Sequence, residues 1–161
     1  MMNKKALQKI RSIADYQLGK GMGKMLFPDK VNIVISKNTG RIRHIYLDNE
    51  LLATLRPTNG MFSLTLAGAK RLIRDVKSPR LRVRVRKDAE SFIAQGKSVF
   101  AKHVVDADNE IRPQEEVIII GENNRVLAVG KAVLTGREMI AFKHGLAVKV
   151  RKGALEEVKN I

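Results

Sequence analysis

Hydrophobic residues recur at helical spacing near the start of the chain. Leu7, Ile10, Ala14 and Leu18 fall on one face of such a helix, and lysines and arginines occupy the other faces. Apolar positions three and four residues apart are typical of an amphipathic helix that packs one face against a core. The pattern therefore predicts a helix over residues 3–18, which ends at the glycine-rich stretch that follows.

Short strands separated by turns are predicted as far as residue 66. The segments VNIVIS, RIRHIYLD, LLATLR and MFSLTL are rich in β-branched and aliphatic residues, and KNTG, DNE and PTNG separate them. Gly, Asn, Asp and Pro are the residues that tight turns favour. A helix over 67–76 follows, so this half predicts an α+β domain with a small antiparallel sheet between helices.

The second half alternates differently and predicts strands around one short helix. In LRVRVR (81–86) the aliphatic side chains should face inward and Arg82, Arg84 and Arg86 should face solvent. The helix is predicted over 88–96, with Phe92 in its buried stripe. The remaining predicted strands are SVFAKHVVD, EVIIIG, VLAVGKAVL and GLAVKVRKG, of which EVIIIG is apolar enough to be covered on both faces. Five or six short strands of this kind predict a mixed, barrel-like sheet.

Charge narrows the choice of partner. Basic residues outnumber acidic ones by 31 to 16, a formal net charge of +15. A protein this basic usually meets a polyanion, most often nucleic acid and next an anionic membrane surface; a solubility surplus is the alternative. Residues 1–77 hold 15 basic and 5 acidic residues, whereas 78–161 hold 16 and 11. Together with KSPR at the junction, this asymmetry predicts a domain over 1–77 and a second over 78–161.

Composition also predicts a cytoplasmic protein without membrane segment or secretory signal. The chain has 44% hydrophobic residues but no long apolar run, its N-terminus is polar, and it has no cysteine. The lack of cysteine excludes disulfides and thiolate metal sites. His44, His103 and His144 lack metal-ligand spacing, so we expect no metal and no cofactor. The acidic segment around Asp108 is interpreted as a solvated loop.

Gly96-Lys97-Ser98 looks like the end of a nucleotide-binding phosphate loop but does not fit one. The first glycine of G-x-x-x-x-G-K-[ST] is replaced by Ser91, and the predicted helix precedes the turn instead of following it. A nucleotide-hydrolysing enzyme is therefore not expected.

The second half resembles a PUA domain, an RNA-binding module named for pseudouridine synthases and archaeosine transglycosylases. The resemblance is carried by the helix that ends at Gly96, the turn GKSVFA, the segment IRPQEEV, the hairpin ending in AVGKA and the closing GLAVKVRKG, over about residues 79–153. The first half, from IADYQLGKGMGKMLF to LAGAKRL, is similar to the domain that precedes PUA in archaeal archaeosine tRNA-guanine transglycosylases. This resemblance implies an α+β fold: a small antiparallel sheet with helices, then a PUA-like mixed β pseudo-barrel.

The resemblance also implies where RNA is bound. In the family, RNA lies against the small helix, the turn after it and the closing strand. The implied RNA-binding residues here are Gly96, Lys97, Ser98, Val99, Phe100, Lys102, Lys131, Gly145, Lys149, Arg151 and Lys152. The role of two further sets is open. Arg82 and Arg84 either track an RNA backbone or form the solvent-exposed face of a strand. Arg41 and Arg43, with Lys37, form a basic hairpin end that either contacts RNA phosphates or does not. Phe100 either presents its edge to a base or belongs to the core, and Gly96 can both end the helix and approach RNA.

The sequence thus favours an RNA-binding protein without its own catalytic site. The transglycosylases carry their nucleophilic aspartates and a cysteine-rich zinc site on a catalytic barrel, and this sequence shows neither barrel nor Cys. We expect it to bind tRNA at the acceptor end and to assist archaeosine-type modification with a separate catalytic chain. An assembly module that binds ribosomal or guide RNA is the alternative, and an enzyme at the domain junction is a third hypothesis without a supporting constellation of residues.

Overall fold

The computed structural model describes residues 3–156, and its internal contacts divide the chain into two compact units, Met1–Val76 and Lys77–Ile161. The described part of the first unit contains helices and one antiparallel sheet. Its elements are α1 (Lys4–Leu18), α2 (Met22–Leu26), β1 (Asn32–Ile35), β2 (Ile42–Leu47), β3 (Glu50–Leu55), β4 (Phe62–Leu64) and α3 (Leu66–Asp75). The strands pair in chain order, β1-β2-β3-β4, as a meander.

Helix α1 begins and packs as its sequence predicts. The side chain of Asn3 accepts hydrogen bonds from the backbone N–H groups of Lys5 (3.0 Å) and Ala6 (3.1 Å), which satisfies donors that the first helical turn leaves free. The predicted apolar face is buried. Gln17 ties the helix to β4, since its side chain accepts the N–H of Phe62 (2.6 Å) and donates to the carbonyl of Phe62 (2.8 Å).

The second unit is a mixed sheet that curls into a nearly closed pseudo-barrel. Its elements are β5 (Arg82–Val85), α4 (Glu90–Ala94), β6 (Val99–Phe100), β7 (Val104–Ala107), β8 (Glu116–Ile120), β9 (Val126–Ala132), α5 (Gly136–Ala141) and β10 (Leu146–Gly153). The strand order is β6-β10-β9-β8-β5-β7, in which β5 and β8 are parallel and the other neighbouring strands are antiparallel. The α+β fold class with its pseudo-barrel is confirmed.

Burial along the interior strands corrects one prediction and confirms another. Every residue of β8 is buried, as its apolar run predicted. Arg82 is also buried, at 6% exposure, so its assignment to the wet face of a strand is wrong. Three of the four β5 residues are buried and Arg84 is half-buried, so both faces of this strand are covered, which alternation in sequence alone cannot reveal.

The structure around α4 differs from the sequence-based prediction in two further places. Phe92 is 62% exposed, and the helix buries Ile93 and Ala94 instead. A helix of five residues has room for one buried side only, and consecutive positions 93 and 94 occupy it. The strand predicted over 98–106 is broken by a 3₁₀ turn at Ala101–His103 into β6 and β7.

Over residues 3–156, none of the helices combines the length and the apolar character that crossing a bilayer requires.

Candidate nucleic-acid interface

The turn after α4 holds a glycine in a backbone conformation that other residues rarely adopt. Gly96 has φ +100°, and its N–H donates to the carbonyl of Ile93 at 2.9 Å. The N–H of Lys97 donates to the carbonyl of Phe92 at 3.1 Å, which leaves the Lys97 side chain exposed beyond the helix end. Gly96 thus ends the helix, and the turn faces the C-terminal, electronegative end of that helix, unlike a phosphate loop.

Hydrogen bonds join this turn to the closing strand β10. The Ser98 hydroxyl accepts the N–H of Val150 at 3.3 Å. Strand β6 pairs with β10, with Val99 opposite Val148 and Phe100 opposite Leu146. The turn and the closing strand, predicted to act together, therefore lie side by side. Val99 is completely buried, at 0% exposure, so it helps to fix the turn against β10 and presents no group at the surface.

Phe100 belongs to the surface, not to the core. Its side chain is 44% exposed, and its ring meets that of His103 edge-on with centroids 5.9 Å apart. The N–H of Phe100 donates to Nδ1 of His103 at 3.3 Å. An exposed aromatic ring beside the exposed Lys102 has the composition of a base-and-phosphate contact.

The surroundings of His103 lower its pKa. Burial lowers its pKa from the ordinary 6.5, the positive charges of Lys102 and Arg86 lower it further, and Asp88 opposes them. A neutral imidazole keeps Nδ1 available as the acceptor for the Phe100 N–H.

The cations on β9 and β10 fall into two kinds. Lys131 and Lys149 are directly opposite each other in the strand pair, and Lys149 is exposed. Arg151 instead donates to both carboxylate oxygens of Glu116 at 2.7 Å, and the Glu116 side chain is completely buried. The lysines extend the cationic surface, whereas Arg151 also neutralises an acid in the barrel wall. Gly145 immediately precedes β10, and Lys152 lies near the other end of that strand.

A carboxylate lies directly against the Gly96 turn. The N–H of Gly153 donates to Oε1 of Glu156 at 2.6 Å. A Cβ placed on Gly96 would lie 2.7 Å from the Glu156 carboxyl carbon. An RNA phosphate that approached the turn would meet this negative charge, which sequence patterns did not predict.

The arginines of β5 serve the fold and lie apart from the turn. Arg84 donates to the carbonyls of Gly121 (2.8 Å) and Glu122 (3.1 Å). Burial lowers the pKa of Arg82, and the charge of Arg84 lowers it further. In the sheet, β9 and β8 separate β5 from β10, so the structure does not bring these arginines together with the closing strand.

Asp108 is a buried structural acid, and its interpretation as a solvated loop residue is wrong. It is 4% exposed and accepts hydrogen bonds from the N–H of Leu81 (2.9 Å) and Glu110 (2.9 Å) and from Arg80 (3.2 Å). These bonds offset the penalty of burying a charge.

Arg41 and Arg43 lie in the first unit, near the β1–β2 turn. Arg41 is exposed and Arg43 half-buried. The Nε of Arg43 is buried and makes no hydrogen bond within the described residues.

Comparison with known families accounts for both units. Residues 8–79 match the patch-forming domain C2 of tRNA-guanine transglycosylase, and residues 81–154 match the PUA domain. The chain is 48% identical to the tRNA-guanine(15) transglycosylase of Methanothermobacter thermautotrophicus over 91% of its own length and 22% of the relative's. For the enzyme of Thermoplasma volcanium, the identity is 46% over 95% of this chain and 24% of the relative. The chain therefore spans about a quarter or less of the length of these relatives.

Solved structures share the fold across both units. A hypothetical protein from Pyrococcus horikoshii aligns with a TM-score of 0.78 at 23% identity, covering 98% of this chain and 95% of that one. A PUA-domain protein from Aeropyrum pernix aligns with a TM-score of 0.70 at 16% identity, over 96% and 85% of the two chains.

Proposed function

We infer that this protein binds RNA, that its ligand is tRNA, and that the second unit holds the acceptor end. The chain matches a transglycosylase C2 domain followed by a PUA domain. The observation that carries this proposal is the order of the two matches, which together reproduce one region of enzymes that act on tRNA guanine. The net charge of +15 supplies the attraction for a polyanion.

The proposed RNA surface consists of the Gly96–Ser98 turn, β6 and the closing strand β10. Their pairing supports it, because Lys97 precedes β6, Lys149 lies on β10, and Lys102 lies in the 3₁₀ turn that follows β6, and all three are exposed. Lysines on such elements contact phosphates, the exposed ring of Phe100 stacks on a base, and backbone groups of the turn contact ribose.

The chemistry of modification is proposed to reside in another chain. The curated relatives are matched over 22–24% of their length, and the matched region consists of the two domains named above. We propose a non-catalytic role in the cytoplasm, in which this chain positions tRNA for an archaeosine-type transglycosylase.

The two units are proposed to be separate domains that meet near residues 77 and 78. The internal contacts of the chain separate into two groups between residues 76 and 77, and the two family matches meet between residues 79 and 81. The Lys77-Ser78-Pro79 segment is exposed. Limited trypsin treatment of the full chain should cut first at Lys77, and fragments with other ends would contradict the boundary.

Binding to labelled tRNA, compared with duplex DNA of equal length, tests the central proposal. We expect tRNA to bind more tightly; equal, weak binding to both would refute it. Sequencing the RNA that co-purifies with the protein separates the alternatives, since tRNA supports the proposal and ribosomal or guide RNA supports the assembly module.

The surface itself is tested by a charge-matched pair of variants. Lys97→Gln with Lys102→Gln removes two cations of the proposed surface. Lys87→Gln with Arg125→Gln removes two cations beside the 121–125 turn, where the N–H of Lys87 donates to Glu122. If both lysines contact phosphates, the first double variant lowers the slope of log affinity against log salt by about 1.4 and the affinity near 0.15 M salt on the order of tenfold. Equal losses in the two double variants would refute this placement.

A further inference from the structure

A cavity of about 320 Å³ in the first unit is surrounded by basic side chains. It lies between α1 and one end of the meander, and Lys9, Arg41, Arg43 and Arg56 line it. Its lining residues include no aspartate or glutamate. Four cations with no acid in the lining create a positive potential that favours an anionic ligand.

Two hairpin turns of the same construction bring these side chains together. In the β1–β2 turn, the N–H of Gly40 donates to the carbonyl of Ser36 and the N–H of Ser36 to the carbonyl of Arg41, both at 2.8 Å. In the β3–β4 turn, the N–H of Gly60 donates to the carbonyl of Arg56 at 3.0 Å. The N–H of Arg56 in turn donates to the carbonyl of Met61 at 2.8 Å.

Both glycines have φ +70°, a left-handed value that favours glycine. Alternate turns of a meander emerge at the same end of the sheet, so Arg41 at the end of one turn lies close to Arg56 at the start of the other.

The guanidinium of Arg43, a lining residue of this cavity, has an unused donor. The Nε of Arg43 is buried and has no hydrogen-bond acceptor within residues 3–156. Buried N–H donors are almost always bonded, so this unbonded donor, on a residue that lines the cavity, indicates a missing acceptor. A guanidinium matches the paired oxygens of a phosphate, with which it forms short, charge-assisted hydrogen bonds.

The apolar lining residues of the cavity suit the ribose that is attached to such a phosphate. Ile13, Ile42 and Leu55 supply apolar lining beside the cations. The volume is at the lower end of the roughly 300–1,000 Å³ of small-molecule pockets, which is larger than a lone anion needs.

We propose that this cavity binds one backbone phosphate of the RNA together with its ribose, so that the first unit contributes a phosphate contact of its own. The proposal rests on the function proposed above, and it extends the predicted basic hairpin end at Arg41 and Arg43 to a pocket completed by Lys9 and Arg56. Arg43 is its central donor.

The test compares Arg43→Met with Arg74→Met in the full chain. Arg74 is an exposed arginine of α3 that is absent from the cavity lining and pairs weakly with Asp75 at 3.4 Å. Loss of one phosphate contact should lower the salt slope for tRNA binding by about 0.7, which corresponds to about fourfold weaker binding at 0.15 M salt. Arg74→Met should leave both unchanged. Thermal unfolding should show no loss of stability in Arg43→Met, because the Nε donor has no bond to lose, whereas a structural arginine would show one.

Lys9→Gln, a change on the exposed face of α1, provides a second variant that should weaken tRNA binding similarly. Wild-type affinity and salt slope in both Arg43→Met and Lys9→Gln would overturn the proposal.

A titration with uridine 5′-monophosphate, followed by ¹H–¹⁵N NMR, separates the failure of this inference from failure of the proposed function. If the protein binds no RNA, shifts at Arg43, Gly40 and Gly60 that disappear in Arg43→Met would retain the phosphate-ribose pocket and reject RNA as its source. The lack of any such shift, with unchanged tRNA binding in the variants, would reject the pocket itself.

Discussion

Arg151 and Lys149 lie two residues apart on β10, and removal of their charges should have different consequences. Arg151 donates to both oxygens of the completely buried Glu116 carboxylate at 2.7 Å. Lys149 is exposed and makes no ion pair within residues 3–156. Arg151→Met therefore leaves a buried carboxylate without this counter-ion, whereas Lys149→Met removes only a surface charge. Both variants retain an unbranched side chain that suits the strand.

The size of the difference follows from the exposure of the pair. Loss of one partner from a fully buried ion pair costs about 3–5 kcal/mol, and exposed pairs contribute about 0.2–1 kcal/mol. Because the Arg151 side chain is 35% exposed, solvent screens part of the interaction. We therefore expect Arg151→Met to lose roughly 1–3 kcal/mol. For a unit of this size, each kcal/mol lowers the melting temperature by about 4–8 °C.

Thermal unfolding of the full chain, with tRNA binding measured on the same samples, checks this prediction. Arg151→Met should melt well below wild type, whereas Lys149→Met should melt with wild type and lose tRNA affinity and salt slope. The double variant Arg151→Met with Glu116→Gln should recover part of the stability, because the buried charge is removed. A melting temperature unchanged in Arg151→Met, together with a larger loss of tRNA affinity than in Lys149→Met, would show that Arg151 serves RNA and not the barrel.

Three further outcomes test individual contacts. Gly96→Ala should destabilise the second unit by about 1–2 kcal/mol, because φ is +100° there; full recovery in Gly96→Ala with Glu156→Ala would instead assign the loss to the Glu156 contact. Burial lowers the pKa of His103 in the folded state, so the unfolded state takes up a proton first as the pH falls. The contribution of neutral His103 to stability is therefore complete above the unfolded-state pKa of about 6.5 and is lost as the pH falls below that value. The stability lost between about pH 7 and 5 should therefore be smaller in His103→Gln, and identical pH profiles would contradict this. Gln17→Leu should cost the first unit about 1–3 kcal/mol, since both backbone groups of Phe62 lose their partner; unaltered urea unfolding would refute that role.

The fold was predictable wherever a pattern repeats along a continuous element. The apolar face of α1 and the covered strand β8 follow directly from residue spacing and apolar content. Arg82 could not be placed in this way, because its burial depends on what covers that face of β5 in the folded chain and not on the sequence of β5 itself. Phe92 shows the same limit for a helix of five residues, in which neighbouring elements choose the buried side.

Two helices were missed for different reasons. Glycines around α2 indicate a stop, yet Gly21 caps that helix with φ +86°. Helix α5 does carry a sequence signal, Thr-x-x-Glu at its start. The Thr135 hydroxyl accepts the N–H of Glu138 at 3.0 Å, and the Glu138 carboxylate accepts the N–H of Thr135 at 2.9 Å. This reciprocal capping box could have located the helix from sequence alone.

The elements that form the candidate site could be predicted from the sequence, but the acidic side chains that lie against them could not. The turn, β6 and β10 are neighbours as the resemblance implied, but Glu116 and Glu156 lie against groups assigned to RNA. These carboxylates come from distant positions in the chain, so their proximity appears only once the barrel is formed. Counts of basic residues therefore overestimate the number of phosphates that the second unit can neutralise.

In the second unit, arginines form the ion pairs of the fold, whereas several lysines remain exposed, and the two side chains differ in a way that explains this. Each ion pair found among residues 77–156 uses an arginine: Arg80 with Asp108, Arg86 with Asp88, Arg125 with Glu90 and Arg151 with Glu116. A planar guanidinium with several donors can hold a carboxylate in a fixed geometry, whereas an ammonium on a flexible stem keeps its charge hydrated and movable. Lys97, Lys102 and Lys149 are accordingly among the cations that an RNA backbone can engage without breaking a contact of the fold. The first unit differs, because Arg43 there presents a guanidinium donor that the described protein leaves unbonded, and a rigid donor of that kind suits one phosphate in a fixed position.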